Sequence, residues 1–293
     1  MKYAVKNILW ATDFSAEAQT ALHYAGMMAG AFGTGITALH VAPDFSPIIY
    51  EVLSTYIDDP GSKVDAVKSG AMKKIESAGK KAGIEFRRIV VETGSAPKKI
   101  IEVAKKEKAG LIVIGKTGLT GLEKILMGSV ANRVLRDSAV PVLITGKKKG
   151  RARLGKILVP TDFSGREDIE RNFAGMLALK FGAELRLLHV LELHGHEFSS
   201  AELDGMFELA VERLKSLRTK PSRAMKVTED VIRAINAASG IVEYAGTNRS
   251  DMIVMSTCAQ SKLGRFLLGS TTEKVISYSP LPVFAIPACI GAD

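Results

Sequence analysis

Residues 7–15 read NILWATDFS, and residues 156–164 read KILVPTDFS. The match does not end there. AFGTGITALHV at 31–41 returns as KFGAELRLLHV at 180–190, in the same register of 149 positions that carries Asp13 onto Asp162. Further on, LIVIG (111–115), GLEKILMGS (121–129) and VPVLIT (140–145) return as MIVMS, KLGRFLLGS and LPVFAI, now 141 positions apart. The second copy is therefore eight residues shorter, and the loss falls between positions 41 and 115 of the first. A self-similarity this long sets the architecture before any single motif is read.

Within each copy, short β-branched runs alternate with longer helical stretches. In the first copy the pattern predicts a buried strand over 8–11, a helix over 15–32 with Ser15 as its N-cap and Gly33 as its stop, and a strand over 36–41. A loop around 43–60 then leads to a polar helix ending at Ala82. After it come a strand at 86–92, a helix at 96–108, a strand at 111–114, a helix at 129–136 and a strand at 140–145. Near-continuous apolar strands separated by amphipathic helices indicate a parallel sheet covered on both faces. The predicted fold is α/β: two tandem doubly wound, Rossmann-like domains, each a five-stranded mostly parallel sheet. The domains are placed at 1–146 and 155–293, with 147–154 as a basic linker.

Composition agrees with a packed, ordinary globular chain: 293 residues, 46% hydrophobic and 24% charged. The longest uncharged run, from Tyr24 to Leu39, is too short for a bilayer and is interrupted by Gly30, Gly33 and Gly35. The N-terminal stretch lacks the pattern of a secretory signal. Two cysteines, Cys258 and Cys289, have no metal-ligand spacing and fit a reducing compartment, so the cytoplasm is the expected location. A net charge of +9 raises nucleic acid as a partner. Part of the excess, though, is Lys147, Lys148, Lys149, Arg151 and Arg153, in a stretch without aromatic residues to stack bases, and a solvated linker is the simpler reading.

The motif that carries chemistry follows the fourth strand. Gly115-Lys116-Thr117-Gly118 is separated by nine residues from Gly128-Ser129, which open a helix. Gly115 permits a sharp exit from the strand, and Gly118 removes a side chain where backbone must approach a ligand closely. Gly128, Ser129 and Val130 present backbone N–H groups at a helix N-terminus, where unpaired donors and the helix dipole favour an anion. With Asp13 at the end of the first strand, these residues point to phosphate binding. Neither a GxxxxGK[ST] loop, a GxSxG elbow nor an HExxH pair is present.

This set of residues resembles the universal stress protein family in its tandem form. The resemblance rests on the strand with TDFS, the LHV strand, the G-x2-G-x9-G-S spacing and VANRVLRDSAVPVLI, and it runs through nearly the whole chain. It implies a pocket for ATP or AMP. In that pocket Ala11, Thr12 and Asp13 border the adenine and ribose, and the Val41 backbone meets the adenine edge. Gly115 and Gly118 pass beside the ribose and phosphates, with Met127, Gly128, Ser129 and Val130 around the phosphates. Ala11 departs from the proline common in the family, which the second copy has at Pro160. The second copy also has Ser256 and Ala259 in place of Gly115 and Gly118, while Asp162, Val190, Gly269 and Ser270 are kept. The first copy is thus expected to hold nucleotide, and the second to serve as an intramolecular pseudo-dimer partner, with nucleotide in the second copy kept open as the alternative.

The resemblance implies that strands 140–145 and 281–286 pair antiparallel. It implies a regulatory binding protein of the stress response, not an enzyme. Slow hydrolysis of ATP with Mg²⁺ and a nucleotide-independent interaction module stay open as alternatives, as does a homodimer of the whole chain. Elsewhere, His194 and His196 with Glu192 and Glu197 could hold a metal but sit around a turn-forming Gly195. His40 and His189 read as packing residues at strand ends, Trp10, Met27 and Met28 as core, and Cys258, opposite Thr117, as a candidate redox-sensitive thiol.

Overall fold

The computed structural model describes residues 3–43, 60–118, 127–147, 152–193, 199–217, 225–259, 267–287 and 289–290. Its contacts divide the chain into two compact units, Ala4–Ser138 and Met1–Tyr3 with Ala139–Asp293. His194, His196 and Glu197 lie outside the described residues.

The first unit runs β1 (Asn7–Thr12), α1 (Ala16–Phe32), β2 (Gly35–Ala42), α2 (Pro60–Ala82), β3 (Arg88–Thr93), α3 (Ala96–Lys106), β4 (Leu111–Gly115) and α4 (Ser129–Asp137). Its strands lie in the order β3-β2-β1-β4 and all its pairings are parallel. The chain moves outward from β1 to β3 and then returns to the other side of β1, so the order reverses between β1 and β4. In open α/β sheets this reversal opens a crevice at the strand carboxyl ends.

The α1 boundaries follow from local chemistry. Ser15 sits in extended backbone and its hydroxyl accepts from the Ala18 amide, while Gly33 closes the helix at φ 64°, a left-handed conformation open to glycine. Between those caps, Ala18, Ala21, Leu22, Ala25 and Met28 form the buried face. Small alanines let the helix sit close on the sheet, and the Trp10 indole donates to the Ala18 carbonyl at 2.9 Å. Trp10 is fully buried and stacks on Phe86. Met27, expected in the core, is half-buried at the margin of that face.

The second unit comprises β5 (Val142–Thr145), β6 (Lys156–Pro160), α5 (Glu167–Phe181), β7 (Glu184–Glu192), α6 (Ser200–Leu217), β8 (Val227–Ala234), α7 (Ala237–Thr247), β9 (Met252–Ser256), β10 (Cys258–Ala259), β11 (Leu267–Leu268), α8 (Ser270–Tyr278) and β12 (Val283–Ile286). The order is β5-β12-β9-β6-β7-β8, with β10 and β11 forming a separate two-residue ribbon. Every pairing of this sheet is parallel except that of β5 with β12, which is antiparallel and sets Val283 opposite Ile144. The expected pairing of the two terminal strands is therefore present. The last strand of the first repeat belongs to the second compact unit, as does Tyr3, whose ring lies 4.7 Å from that of Phe173. Among the described residues no helix is long and apolar enough to cross a membrane.

Candidate functional site

The site begins with a turn that both repeats build alike. After β1, the Thr12 hydroxyl accepts from the Phe14 amide and the Asp13 carboxylate accepts from the Ser15 amide, each at 3.0 Å. Phe14 is thereby held at φ 68°, a conformation bulky residues avoid and which costs on the order of 1–3 kcal/mol. His40, on β2, stabilises the same turn. Its Nδ1 lies 2.8 Å from the Thr12 carbonyl, which can only accept, and its ring packs on Phe14 at 4.5 Å.

In the second unit Thr161, Phe163 (φ 58°), Asp162 and Ser164 repeat these bonds, with His189 on the Thr161 carbonyl and against the Phe163 ring. The two histidines are thus more than strand-end packing. They donate to the turn that aims the aspartate.

The first unit brings this turn to the glycine loop. A Cβ built on Gly118 would stand 2.6 Å from Asp13 Oδ2, and one on Gly128 would stand 3.3 Å from the Lys116 carbonyl and 3.5 Å from Thr117 Cα. The Gly128 amide donates to the Lys116 carbonyl at 2.9 Å, fastening the two ends of the motif together. Gly115 is close-packed as well, but against the first turn of α1. Its Cβ would meet Glu17 Cβ at 2.8 Å and the Ala18 amide nitrogen at 3.1 Å. None of these three glycines adopts a positive φ. Their requirement is close approach, not an unusual turn, and for Gly115 and Gly118 the neighbours are protein atoms, Glu17 and Asp13.

Of the sequence-predicted residues, Ala11 and Thr12 are buried at the end of β1, and Asp13, Val41, Gly115, Gly118, Met127 and Gly128 are half-buried. Ser129 and Val130 are exposed in the first turn of α4. Strand register places His40 opposite Thr12, so Val41 lies one position beyond the end of β1. The contacts join Asp13, Gly118 and Gly128, and Gly115 joins them through Glu17. Gly128 is the N-cap of α4 and supplies no side-chain cap, and the first turn carries no acidic residue. The positive end of the α4 dipole is therefore offset by neither a side-chain cap nor a first-turn acid.

Lys116 is half-buried there. Burial pulls its ammonium below the usual lysine range, opposed by the nearby Glu17 carboxylate.

The second unit keeps the tie between the two ends of the motif, the Gly269 amide donating to the Thr257 carbonyl at 3.0 Å, and starts its last helix on an equally uncapped Gly269, but it differs elsewhere. Helix α5 begins at Glu167 after Arg166, two positions later than α1 does in the repeat register, and has no side-chain cap. Ser256 stands where Gly115 does, and its amide donates to Glu170 at 2.8 Å. Glu170 is buried, which pushes its carboxyl up to about 7, opposed by the Ser256 amide and hydroxyl, with Asp162 and Glu167 raising it further. The Ser256 carbonyl accepts from Thr272 at 2.8 Å. Helix α8 carries Glu273 in its first turn, a negative charge where an anion would otherwise be favoured. Sequence reading missed Glu17, Thr117 and Glu170. The alignment that sets Cys258 opposite Thr117 also sets Arg166 opposite Glu17, and the joint loss of the two is the signal in the sequence that links them.

A parallel sheet that reverses between its first and fourth strands, with a glycine loop and a bare helix N-terminus at the reversal, defines a doubly wound α/β protein. The universal stress protein family model matches residues 4–146 and 154–287, and the chain belongs to that family, carrying its domain twice. A universal stress protein of Methanocaldococcus jannaschii is 34% identical over 151 residues, 49% of this chain and 84% of its own length. One of Synechocystis is 25% identical over 298 residues, 95% of this chain and 99% of its own. The crystal structure of a universal stress protein from Archaeoglobus fulgidus aligns with a TM-score of 0.68 at 25% identity, covering 97% of both chains.

Proposed function

We propose that the first unit binds an adenine nucleotide, ATP or AMP, and that the chain is a regulatory protein of the stress response whose shape or partners depend on that nucleotide. The observation that carries this reading is the meeting of Asp13, Gly118 and Gly128 at the β1/β4 reversal, directly before the uncapped N-terminus of α4. The phosphates would lie on the amides of Ser129 and Val130, with the Ser129 hydroxyl as a further donor and Lys116 adding positive charge. The base would lie towards Val41, at the end of β2.

Binding rather than turnover is the reading the carboxylates favour. Asp13 accepts from the Ser15 amide and Glu17 from the Thr117 hydroxyl, so both hold structure at the site. The second unit supports the fold without sharing the role, because Ser256, Glu170 and Glu273 place bulk and acid where the first unit has glycine and free donors.

The test is calorimetric titration of the full chain, stripped of endogenous nucleotide, with ATP and AMP, each with and without Mg²⁺. One nucleotide per chain is the expected stoichiometry. Absence of heat with both nucleotides overturns the reading, and two equivalent sites overturn the assignment to the first unit alone.

A further inference from the structure

Thr117 and Glu17 lie 100 residues apart in sequence, yet the Thr117 hydroxyl donates to Glu17 Oε1 at 2.7 Å. Glu17 is buried, at 6% exposure, in the first turn of α1. A carboxylate removed from water needs hydrogen bonds to offset its lost solvation, and a hydroxyl donor aimed at it makes a charge-assisted bond stronger than a neutral one. This bond lands on the glycine loop midway between Gly115 and Gly118. Gly115 is already pressed against Glu17 Cβ, and the Gly128 amide is tied to the Lys116 carbonyl. A continuous path of contacts therefore runs from the start of α1, through Glu17 and Thr117, to the first residues of α4.

The second repeat supplies an independent comparison within the same molecule. Where the loop has lost Gly115 and Gly118 to Ser256 and Ala259, the partners of this bond are lost together, Glu17 becoming Arg166 and Thr117 becoming Cys258. The turn residues Asp162 and Phe163 are kept, and so are Gly269 and Ser270 at the start of α8. The pair thus follows the intact loop and not the fold, since the fold persists without it. The end of β9 is held differently, by Glu170 on the Ser256 amide, one helical turn further along α5.

We propose that Glu17 and Thr117 form the positioning pair of the nucleotide site, fixing the Gly115–Gly118 turn so that Gly128, Ser129 and Val130 are aligned for phosphate before the ligand arrives. This rests on the nucleotide-binding reading above. Neither side chain needs to touch the ligand; the pair acts through the backbone it holds, and its effect should be larger for ATP than for adenosine.

The experiment uses the full chain with Thr117→Val, which removes the hydroxyl at nearly constant volume, and Thr117→Ser, which retains it. Two measurements are made on each: affinity for ATP and adenosine, and amide hydrogen exchange across residues 127–130 without nucleotide. Thr117→Val is expected to weaken ATP about tenfold, as loss of one bond to a charged acceptor implies, to leave adenosine within about twofold, and to speed exchange at 127–130. Thr117→Ser is expected to restore both. The proposal is overturned if Thr117→Val matches the parent in both measurements, or if Thr117→Ser is impaired equally, since volume and not the hydroxyl would then matter. A parent that takes up no nucleotide overturns the site reading and with it the ligand role of the pair, whereas exchange still decides separately whether the bond holds the loop.

Discussion

Gly118 and Asp13 stand so close that a single methyl group on the glycine would come within 2.6 Å of the aspartate Oδ2. The two residues are brought together by the parallel pairing of β1 with β4 at the reversal point, and they join the turn after β1 to the glycine loop. The other carboxylate oxygen of Asp13 is bonded to the Ser15 amide, a bond that any rotation away from Gly118 disturbs.

Gly118→Ala should therefore damage the site more than the fold. Because Gly118 is not in the left-handed region, alanine brings no backbone strain, and the methyl group is accommodated by rotating Asp13 away. ATP affinity is expected to fall by tenfold or more, about 1.4 kcal/mol, while the melting temperature moves by only a few degrees. Calorimetry and a thermal melt on the same preparation distinguish this from general unfolding.

Gly115→Ser, which copies the second repeat into the first, should have the opposite balance. Its Cβ would meet Glu17 Cβ and the backbone at Ala18, and a helix cannot yield as a side chain does. Overpacking of this kind costs about 1–3 kcal/mol, read as a lowered denaturation midpoint. The reciprocal Ser256→Gly should be tolerated better, because it adds no atoms and gives up only the hydroxyl's bond to Glu170.

The two N-termini predict a contrast between equivalent serines. Ser15→Ala removes the cap of α1 and should cost about 1 kcal/mol, whereas Ser164→Ala should cost less, since α5 begins three residues further on without a side-chain cap. Urea unfolding of the two variants side by side decides the matter.

Glu170 makes stability depend on pH in an unusual sense. Its folded pKa, about 7, lies above the ordinary carboxylate value of 4.5, so the folded state holds the proton more tightly than the unfolded chain does. Its contribution is fully present below about pH 4.5 and is lost as pH rises through 7, a difference on the order of 3 kcal/mol. Glu170→Gln keeps an acceptor for the Ser256 amide and cannot ionise. Melts at pH 5.5 and 8.0 should show the variant gaining on the parent as pH rises; parallel behaviour at both values would remove Glu170 as the source.

Much of this molecule was legible in its sequence, for physical reasons that mark where legibility stops. Ser15 and Gly33 declare the ends of α1 because capping is local, decided within a few residues. The repeat offset exposes two doubly wound copies because strand and helix periods recur with it. Which side chains pack against the loop glycines was not legible. Gly115 and Gly118 read as a sharp turn and a phosphate approach, whereas their immediate neighbours are Glu17 and Asp13, about a hundred residues away in sequence. The bond from Thr117 to Glu17 is likewise a product of tertiary closeness, and the burial that raises Glu170 depends on the whole second unit. Left-handed Phe14 and Phe163 carry no propensity signal at all, since nothing about phenylalanine favours that conformation.

The antiparallel pairing of β5 with β12 has a consequence for the history of such a chain. β12 is flanked by β9 on one side and by a strand from the other repeat on the other. If the gene were cut at the basic stretch that separates the repeats, the second half would carry a bare, apolar edge, inviting association with another chain. Fusion of two copies in this manner acts as a ratchet, because loss of either half would expose adhesive surface on the other. The two copies so joined have diverged in the loop, where Ser256, Cys258 and Arg166 stand opposite Gly115, Thr117 and Glu17.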